Sequence, residues 1–260
     1  MTEESLWITN RFGEKLDALI RKPDADGPFP VVLFVSGLGM TMHEWNNSFD
    51  EISRRLVSIG IMTLQFTFSI FDAKGKCREL PLDKRAMQAE DVLAWLINYS
   101  MTDTRRVGIL AQSFGVTTTL LMNLQKVSSL IFVSGAYNPW ENITRVFVER
   151  GVVMNYDGNT SLPRSTGENT TVGKDFWEPL CQYSSTKEVA RLTDQKVCLI
   201  HGDHDTKIGV DEVKKVYAAL QTSTKKLKIF KGGSHGITDD PQPIREEFLR
   251  DVVEWFKKTL

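Results

Sequence analysis

Apolar and polar positions along this chain fall into two alternating rhythms. Leu6 to Asn10 and Leu16 to Arg21 are short β-prone runs joined by a turn at Gly13, which predicts a hairpin. A punctuated loop follows, Lys22-Pro23-Asp24-Ala25-Asp26-Gly27-Pro28. Val31 to Val35 is then apolar without alternation, as in a strand buried on both faces of a parallel sheet. From there the pattern swings between helix and strand. Glu44 to Ile59 has helical spacing at Ile52, Leu56 and Ile59, stopped by Gly60, and Ile61 to Phe68 reads as a strand. Leu82 to Tyr99 is predicted helical, Arg106 to Leu110 a strand, Phe114 to Leu124 a helix and Leu130 to Val133 a strand. Val197 to Ile200, Val210 to Leu220, Leu227 to Phe230 and Ile244 to Leu260 continue as strand, helix, strand, helix. Repeated alternation of this kind predicts an α/β fold, a mostly parallel central sheet with helices on both faces.

One stretch breaks the rhythm. Tyr137 to Gln195 is rich in Pro, Gly, Asn and Thr, has weak periodicity, and carries Trp140, Phe147, Tyr156, Phe176, Trp177 and Tyr183. Long segments without periodicity inside compact domains are often lids or binding loops. Disordered segments are poor in aromatics, so this one is expected to fold. The expectation is one domain over residues 1–260 with an inserted cap over 137–195.

Composition adds mainly exclusions. Hydrophobic residues are 41% and charged residues 25%, ordinary globular values. The formal net charge of −1 gives no electrostatic reason to bind nucleic acid or anionic lipid. No apolar run reaches the ~18–20 residues of a membrane span. Cys77, Cys181 and Cys198 are odd in number and widely spaced, which suggests neither a disulfide framework nor a metal site. The N-terminus MTEESLWITN has no basic start or apolar stretch, so the expected location is cytoplasmic. No cofactor and no metal are expected.

Chemistry enters at Ala111-Gln112-Ser113-Phe114-Gly115. A predicted strand runs into it and a predicted helix leaves it, the setting a nucleophile elbow requires. The positions two before and two after the serine must be small to avoid neighbouring backbone, and they are Ala111 and Gly115. A serine hydroxyl is a weak nucleophile and needs an oriented base. Of the four histidines, His235 sits among glycines in Lys231-Gly232-Gly233-Ser234-His235-Gly236, just past a predicted strand. His201 ends a strand and reads as structural or as a loop partner; His43 could line the pocket or stand solvated in its loop. The base needs a carboxylate to hold its tautomer, and Gly202-Asp203-His204-Asp205 offers two on position alone. Backbone N–H groups must hold the developing oxyanion. Phe114 is expected to give one and Leu38, within Ser36-Gly37-Leu38-Gly39-Met40, the other.

With these pieces in place, the chain resembles the α/β-hydrolase superfamily from about Leu6 to the C-terminus. The segment Val197-Cys198-Leu199-Ile200-His201-Gly202-Asp203-His204-Asp205 is similar to the acid loop of cinnamoyl and feruloyl esterases. Serine peptidases of the acylaminoacyl and prolyl oligopeptidase type look similar there. The resemblance implies Asp205 as the acid and a cap inserted where Tyr137 to Gln195 stands. Three positions depart from the family: Ser36 replaces a usual histidine, Ala111 a usual glycine, and Val116 the second of a glycine pair. None removes a triad atom.

The resulting expectation is a serine carboxylic ester hydrolase working through Ser113, His235 and Asp205 on a small or aromatic ester. Trp140, Phe176 and Trp177 are expected to line the substrate pocket, since pockets need apolar walls. Two alternatives stay open: an amide or peptide hydrolase of the serine aminopeptidase type, and a hydrolase fold reduced to binding.

Overall fold

The computed structural model describes residues 1–164 and 167–260. The chain opens with β1 (Thr2–Thr9), β2 (Lys15–Lys22) and β3 (Phe29–Val35), then α1 (Ser48–Ser58) and β4 (Met62–Phe66). Next come β5 (Cys77–Arg78), α2 (Leu82–Ile97), β6 (Thr102–Gln112), α3 (Phe114–Leu121) and β7 (Ser129–Val133). The segment predicted as a cap holds α4 (Pro139–Glu149), β8 (Thr160–Pro163), β9 (Asn169–Val172), α5 (Lys174–Gln182) and α6 (Ser185–Ala190). β10 (Lys196–Gly202), α7 (Val210–Ala219), β11 (Lys225–Phe230) and α8 (Gln242–Thr259) close the chain.

The main sheet has eight strands in the order β1-β2-β4-β3-β6-β7-β10-β11. Only the pairings β1–β2 and β2–β4 are antiparallel. The rest are parallel, as the unalternating apolar runs predict. Those runs still obey a period of two once both faces are counted. Val31, Leu33 and Val35 point into the core under α2, α3 and α7, with Ala89, Val92, Leu96, Val116, Val213 and Val216. Val32 and Phe34 point the other way, to Phe49, Ile52 and Leu56 of α1 and Phe248, Val252 and Phe256 of α8. All the parallel strands therefore present their carboxyl ends along one edge, where ligands bind in open α/β sheets.

The inserted segment is more ordered than its periodicity implies. A second, three-stranded sheet runs β5-β9-β8, so the short strand Cys77–Arg78 from outside the segment anchors it. Leu162, Val172, Phe176, Trp177 and Leu180 form a third core that continues onto Leu82 and Phe114. Four-residue strands are too short for a pattern to declare itself. Elsewhere, the predicted helix from Glu44 begins only at Ser48, because Glu44, Asn46 and Asn47 take positive φ and unwind its start. β6 begins at Thr102, four residues before the predicted start at Arg106, because its first residues are polar.

At Gly115 the elbow meets β3. A Cβ there would lie 2.2 Å from the Val35 carbonyl oxygen and 2.8 Å from that of Ser36. Backbone cannot yield as a side-chain tip does. We expect Gly115→Val to give no soluble folded protein, whereas Ala111→Gly, at the other small position, should fold. Recovery of soluble Gly115→Val with native circular dichroism would show that the elbow tolerates a wider separation from β3.

Candidate active site

Ser113 stands between the end of β6 and the start of α3 at φ 54°, ψ −121°. A non-glycine residue persists in such a conformation only where its surroundings over-determine it. They do so here. The Ser113 N–H donates to the Val133 carbonyl at 2.9 Å. Its own carbonyl accepts from Val116 N–H and Ala136 N–H, both at 3.1 Å. The hydroxyl is left facing the carboxyl edge of the sheet.

His235 reaches it from the turn after β11. Its Nε2 lies 3.1 Å from Ser113 Oγ, and its Nδ1 lies 2.7 Å from Asp205 Oδ2. A carboxylate only accepts, so Nδ1 carries the ring proton and Nε2 is free to accept from the serine. The turn is fixed on several sides. Gly236 N–H donates to Ser134 Oγ at 3.0 Å, Ser234 N–H to Asp240 at 2.8 Å, and Gly232 N–H to Asp203 at 2.6 Å. The two aspartates therefore divide the work. Asp203 ties down the histidine turn, and Asp205 faces the imidazole. Asp205 Oδ1 is itself held by the N–H groups of Lys207 and Ile208 at 2.9 and 3.0 Å.

Burial pushes the His235 imidazole below its ordinary value, against the pull of the Asp205 carboxylate. Burial pushes Asp205 up, but the hydrogen bond and charge of His235, the nearby His201 and the Ile208 N–H outweigh it and leave its carboxyl below the ordinary value. The ring is thus neutral and the acid ionised near neutral pH. His201 is buried, with Nε2 donating to the Ile208 carbonyl at 2.9 Å, and shapes the acid loop. His43 pairs with Asp50 at 2.7 Å and lies outside the pocket.

The loop after β3 is laced by buried charges that sequence reasoning missed. Glu44 accepts from Gly37 N–H at 2.8 Å, and Glu79 from Gly39 N–H at 2.7 Å. Arg85 donates to the Ser36 carbonyl at 2.7 Å and to the other oxygen of Glu79 at 2.7 Å. Burial pushes the Glu44 carboxyl up. With the N–H groups on either side engaged, that of Leu38 is left without a partner among the described residues. Phe114, first residue of α3, keeps another free N–H, since the opening N–H groups of a helix have no partner within it. No motif flags these glutamates or Arg85. In sequence they read as solvated charges beside glycine and proline.

A cavity of about 440 Å³ opens onto Ser113 and His235. Its apolar walls are Leu38, Trp45, Phe71, Phe114, Ile143 and Val146. The expected aromatics do not line it. Phe176 and Trp177 are buried in the core of the inserted segment, edge to face at 5.3 Å, behind Phe114. Trp140 stacks on Tyr156 at 5.5 Å and faces a separate outer groove. Their aromatic mass suggests pocket walls, but that mass packs the insertion and α4 sends Ile143 and Val146 inward instead. Among the described residues no cluster of three His, Cys, Asp or Glu side chains could hold a metal ion, and no helix is long and apolar enough to cross a membrane.

The family model described as the prolyl oligopeptidase family matches residues 82–260. No curated protein matches the sequence. Solved structures do match in shape. Est1E from Butyrivibrio proteoclasticus superposes with a TM-score of 0.79 at 17% identity, over 98% of this chain and 98% of that one. The α/β hydrolase GrgF from Penicillium sp. sh18 gives 0.78 at 13% identity, over 100% and 99%. The Pyrococcus furiosus esterase Pf2001 gives 0.73 at 18% identity, over 99% and 91%. The shared fold is that of the α/β hydrolases.

Glu79 and Arg85 have no exposed side-chain surface. Removing one partner of such a pair strands the other charge, at about 3–5 kcal/mol. Glu79→Gln should therefore lower the melting temperature by about 10 °C in a chain this size. A calorimetric scan within a degree of the parent would mean the lacing contributes nothing to stability.

Proposed function

The chain belongs to the prolyl oligopeptidase family, and from that premise and the geometry we propose that it is a serine hydrolase acting on carboxylic esters through an acyl-enzyme. Ser113 Oγ attacks the ester carbonyl while His235 Nε2 takes its proton. Asp205 holds the imidazole in the required tautomer and stabilises the imidazolium. The N–H groups of Leu38 and Phe114 receive the oxyanion, where each donor is worth about 10²–10³ in rate. His235 then protonates the leaving alcohol, and water, activated by the same ring, frees the acyl group. The observation that carries the reading is the unbroken chain Ser113 Oγ to His235 at 3.1 Å and His235 to Asp205 at 2.7 Å, beneath a cavity with apolar walls.

Two structural neighbours support the choice of esters. Est1E has been seen with ferulic acid bound, and Pf2001 is an esterase. The family's name favours a second reading, hydrolysis of an amide or peptide bond, which the same three residues would serve. A panel of 4-nitrophenyl esters beside matched 4-nitroanilides separates the two; faster turnover of the anilides would favour the peptidase reading. The segment over 137–195 acts as a cap on this reading, since Ile143, Val146 and Arg164 from it form one wall of the cavity.

Ser113→Ala should lose turnover on the order of 10⁶-fold and should no longer be labelled by a fluorophosphonate. Asp205→Asn should lose about 10⁴-fold by miscasting the tautomer, and Asp203→Asn far less. Esterase activity surviving in purified Ser113→Ala protein would sink the assignment.

The pH profile is a separate check. The base works only as neutral imidazole, and burial holds His235 below 6.5. Activity is therefore retained as pH falls through 6.5 and lost only below it. An acid limb of kcat/KM centred above 6.5 would contradict the burial of this ring.

A further inference from the structure

Three cations meet at the cavity above Ser113: Arg150 after α4, Arg164 after β8, and Lys207 two residues beyond Asp205. Among the described residues, none of the three has a carboxylate within ion-pair distance. Several arginines elsewhere do find one, among them Arg11, Arg21, Arg55, Arg85, Arg106 and Arg245. Arg164 donates to the Leu38 carbonyl at 2.7 Å and touches Met40 Sδ at 3.3 Å, both neutral partners. Arg150 donates to the Pro163 carbonyl. The Lys207 ammonium has no hydrogen-bond partner among the described residues, although its backbone N–H is fixed on Asp205.

The arrangement is costly without a counter-ion. Lys207 and Arg164 are half-buried, and burial pushes both below their ordinary values. Asp205 and Glu44 pull Lys207 back up while Arg150 and Arg164 lower it by like charge, and Arg150 likewise lowers Arg164 against the pull of Glu79 and Glu44. Three of the four acids nearby already accept hydrogen bonds within the chain. Asp205 serves His235, and Glu44 holds the Gly37 N–H. Asp239 accepts from Trp45 Nε1 at 2.7 Å and from Asn46. Glu168, the fourth, also lines the cavity but is exposed to solvent in the turn between β8 and β9 and forms no ion pair with the three cations among the described residues. Cations gathered and partly desolvated in this way attract an anion from outside the protein.

We propose that the cavity takes an ester carrying a free carboxylate, held by Lys207 with Arg164 and Arg150 while the ester carbonyl lies over Ser113. The proposal rests on the serine-hydrolase reading. A carboxylate suits the site better than a phosphate, because the backbone N–H groups of Gly37 and Gly39 that could cradle a phosphate already serve Glu44 and Glu79. Leu38, Ile143 and Val146 supply apolar surface for the carbon chain between the two ends.

The test compares mono-4-nitrophenyl glutarate with its methyl-capped, neutral diester. The free acid should be preferred in kcat/KM by about tenfold or more, and Lys207→Met should erase most of that ratio. Equal or better turnover of the capped ester by the parent protein would overturn the proposal. A binding measurement separates the anion site from the catalytic assignment. Ser113→Ala protein is titrated calorimetrically with monomethyl glutarate and with dimethyl glutarate. The monoanion should bind about tenfold tighter, and the added Lys207→Met change should remove the difference. Equal affinities would sink the anion site even if Ser113 proves to be the nucleophile. Turnover persisting in the Ser113→Ala protein would sink the nucleophile assignment while the titration still decides the anion site.

Discussion

Arg85 has no contact with solvent, so every donor of its guanidinium must be answered inside the protein. The answers come from four directions. Nη1 meets Glu79, Nη2 meets the Ser36 and Gly37 carbonyls, and Nε meets Thr118 Oγ1 on α3. The plane of the group lies over Phe68 at 3.9 Å and nearer the edge of reach over Phe114 at 5.1 Å. One side chain on α2 thereby joins the loop after β3 to the helix that carries the serine turn. Phe114 passes the connection onward, since its other neighbour is Phe176 in the inserted segment. The two N–H groups that would face an oxyanion, those of Leu38 and Phe114, belong to the two elements this guanidinium binds together. Electrostatic stabilisation depends on donors fixed before charge develops, and buried ionic lacing is a means of fixing them.

The lacing also explains an apparent waste. Gly37 and Gly39 bring backbone close to the site, yet both spend their N–H groups on glutamates. The consequence is a choice of geometry. A loop with three free N–H groups could present any of them; this loop presents Leu38. Glu44 adopts φ 57° to make its bond, a strain that a residue accepts only where neighbouring structure compensates. The positive φ at Asn46 and Asn47 belongs to the same turn, which is why the helix expected from Glu44 starts late.

Much of this was legible in the sequence, and the reasons differ by element. The buried parallel strands announce themselves because both faces are covered, which leaves apolar runs such as Val31 to Val35 with no polar positions. The serine turn is legible because its steric demands fall on specific neighbours: Gly115 cannot carry a Cβ at 2.2 Å from a carbonyl oxygen. Position along the chain does not choose between Asp203 and Asp205, although the family resemblance points to Asp205. Both lie at the same sheet edge, and only the path of the histidine turn decides which faces the ring. Trp177 and Phe176 illustrate the opposite failure. Aromatic density correctly signals that the insertion folds, but a segment of this size needs a core of its own before it can wall a pocket, and its largest side chains go there. Buried charges such as Glu79 and Arg85 are illegible, because nothing in spacing separates a solvated loop glutamate from one that holds a backbone turn.

The charges around the cavity then divide into two kinds, and the division is physical. Glu79 and Arg85 pair with each other, while Glu44 accepts from the Gly37 N–H and Asp205 faces His235, so these four fix the loops. Among the described residues, Lys207, Arg164 and Arg150 meet carbonyls, a thioether, or no side-chain partner at all. A neutral carbonyl takes up direction without cancelling charge, so the field of these three reaches into the cavity. Lys207 hangs from the same loop as Asp205, and its backbone N–H holds the carboxylate that orients His235. Its charge acts on the imidazole as well, lowering its affinity for a proton. An anion seated on Lys207 would offset that effect and make His235 a stronger base as the substrate arrives. On the proposed function, substrate recognition and base strength would be coupled through one lysine in the acid loop, without any movement of the backbone.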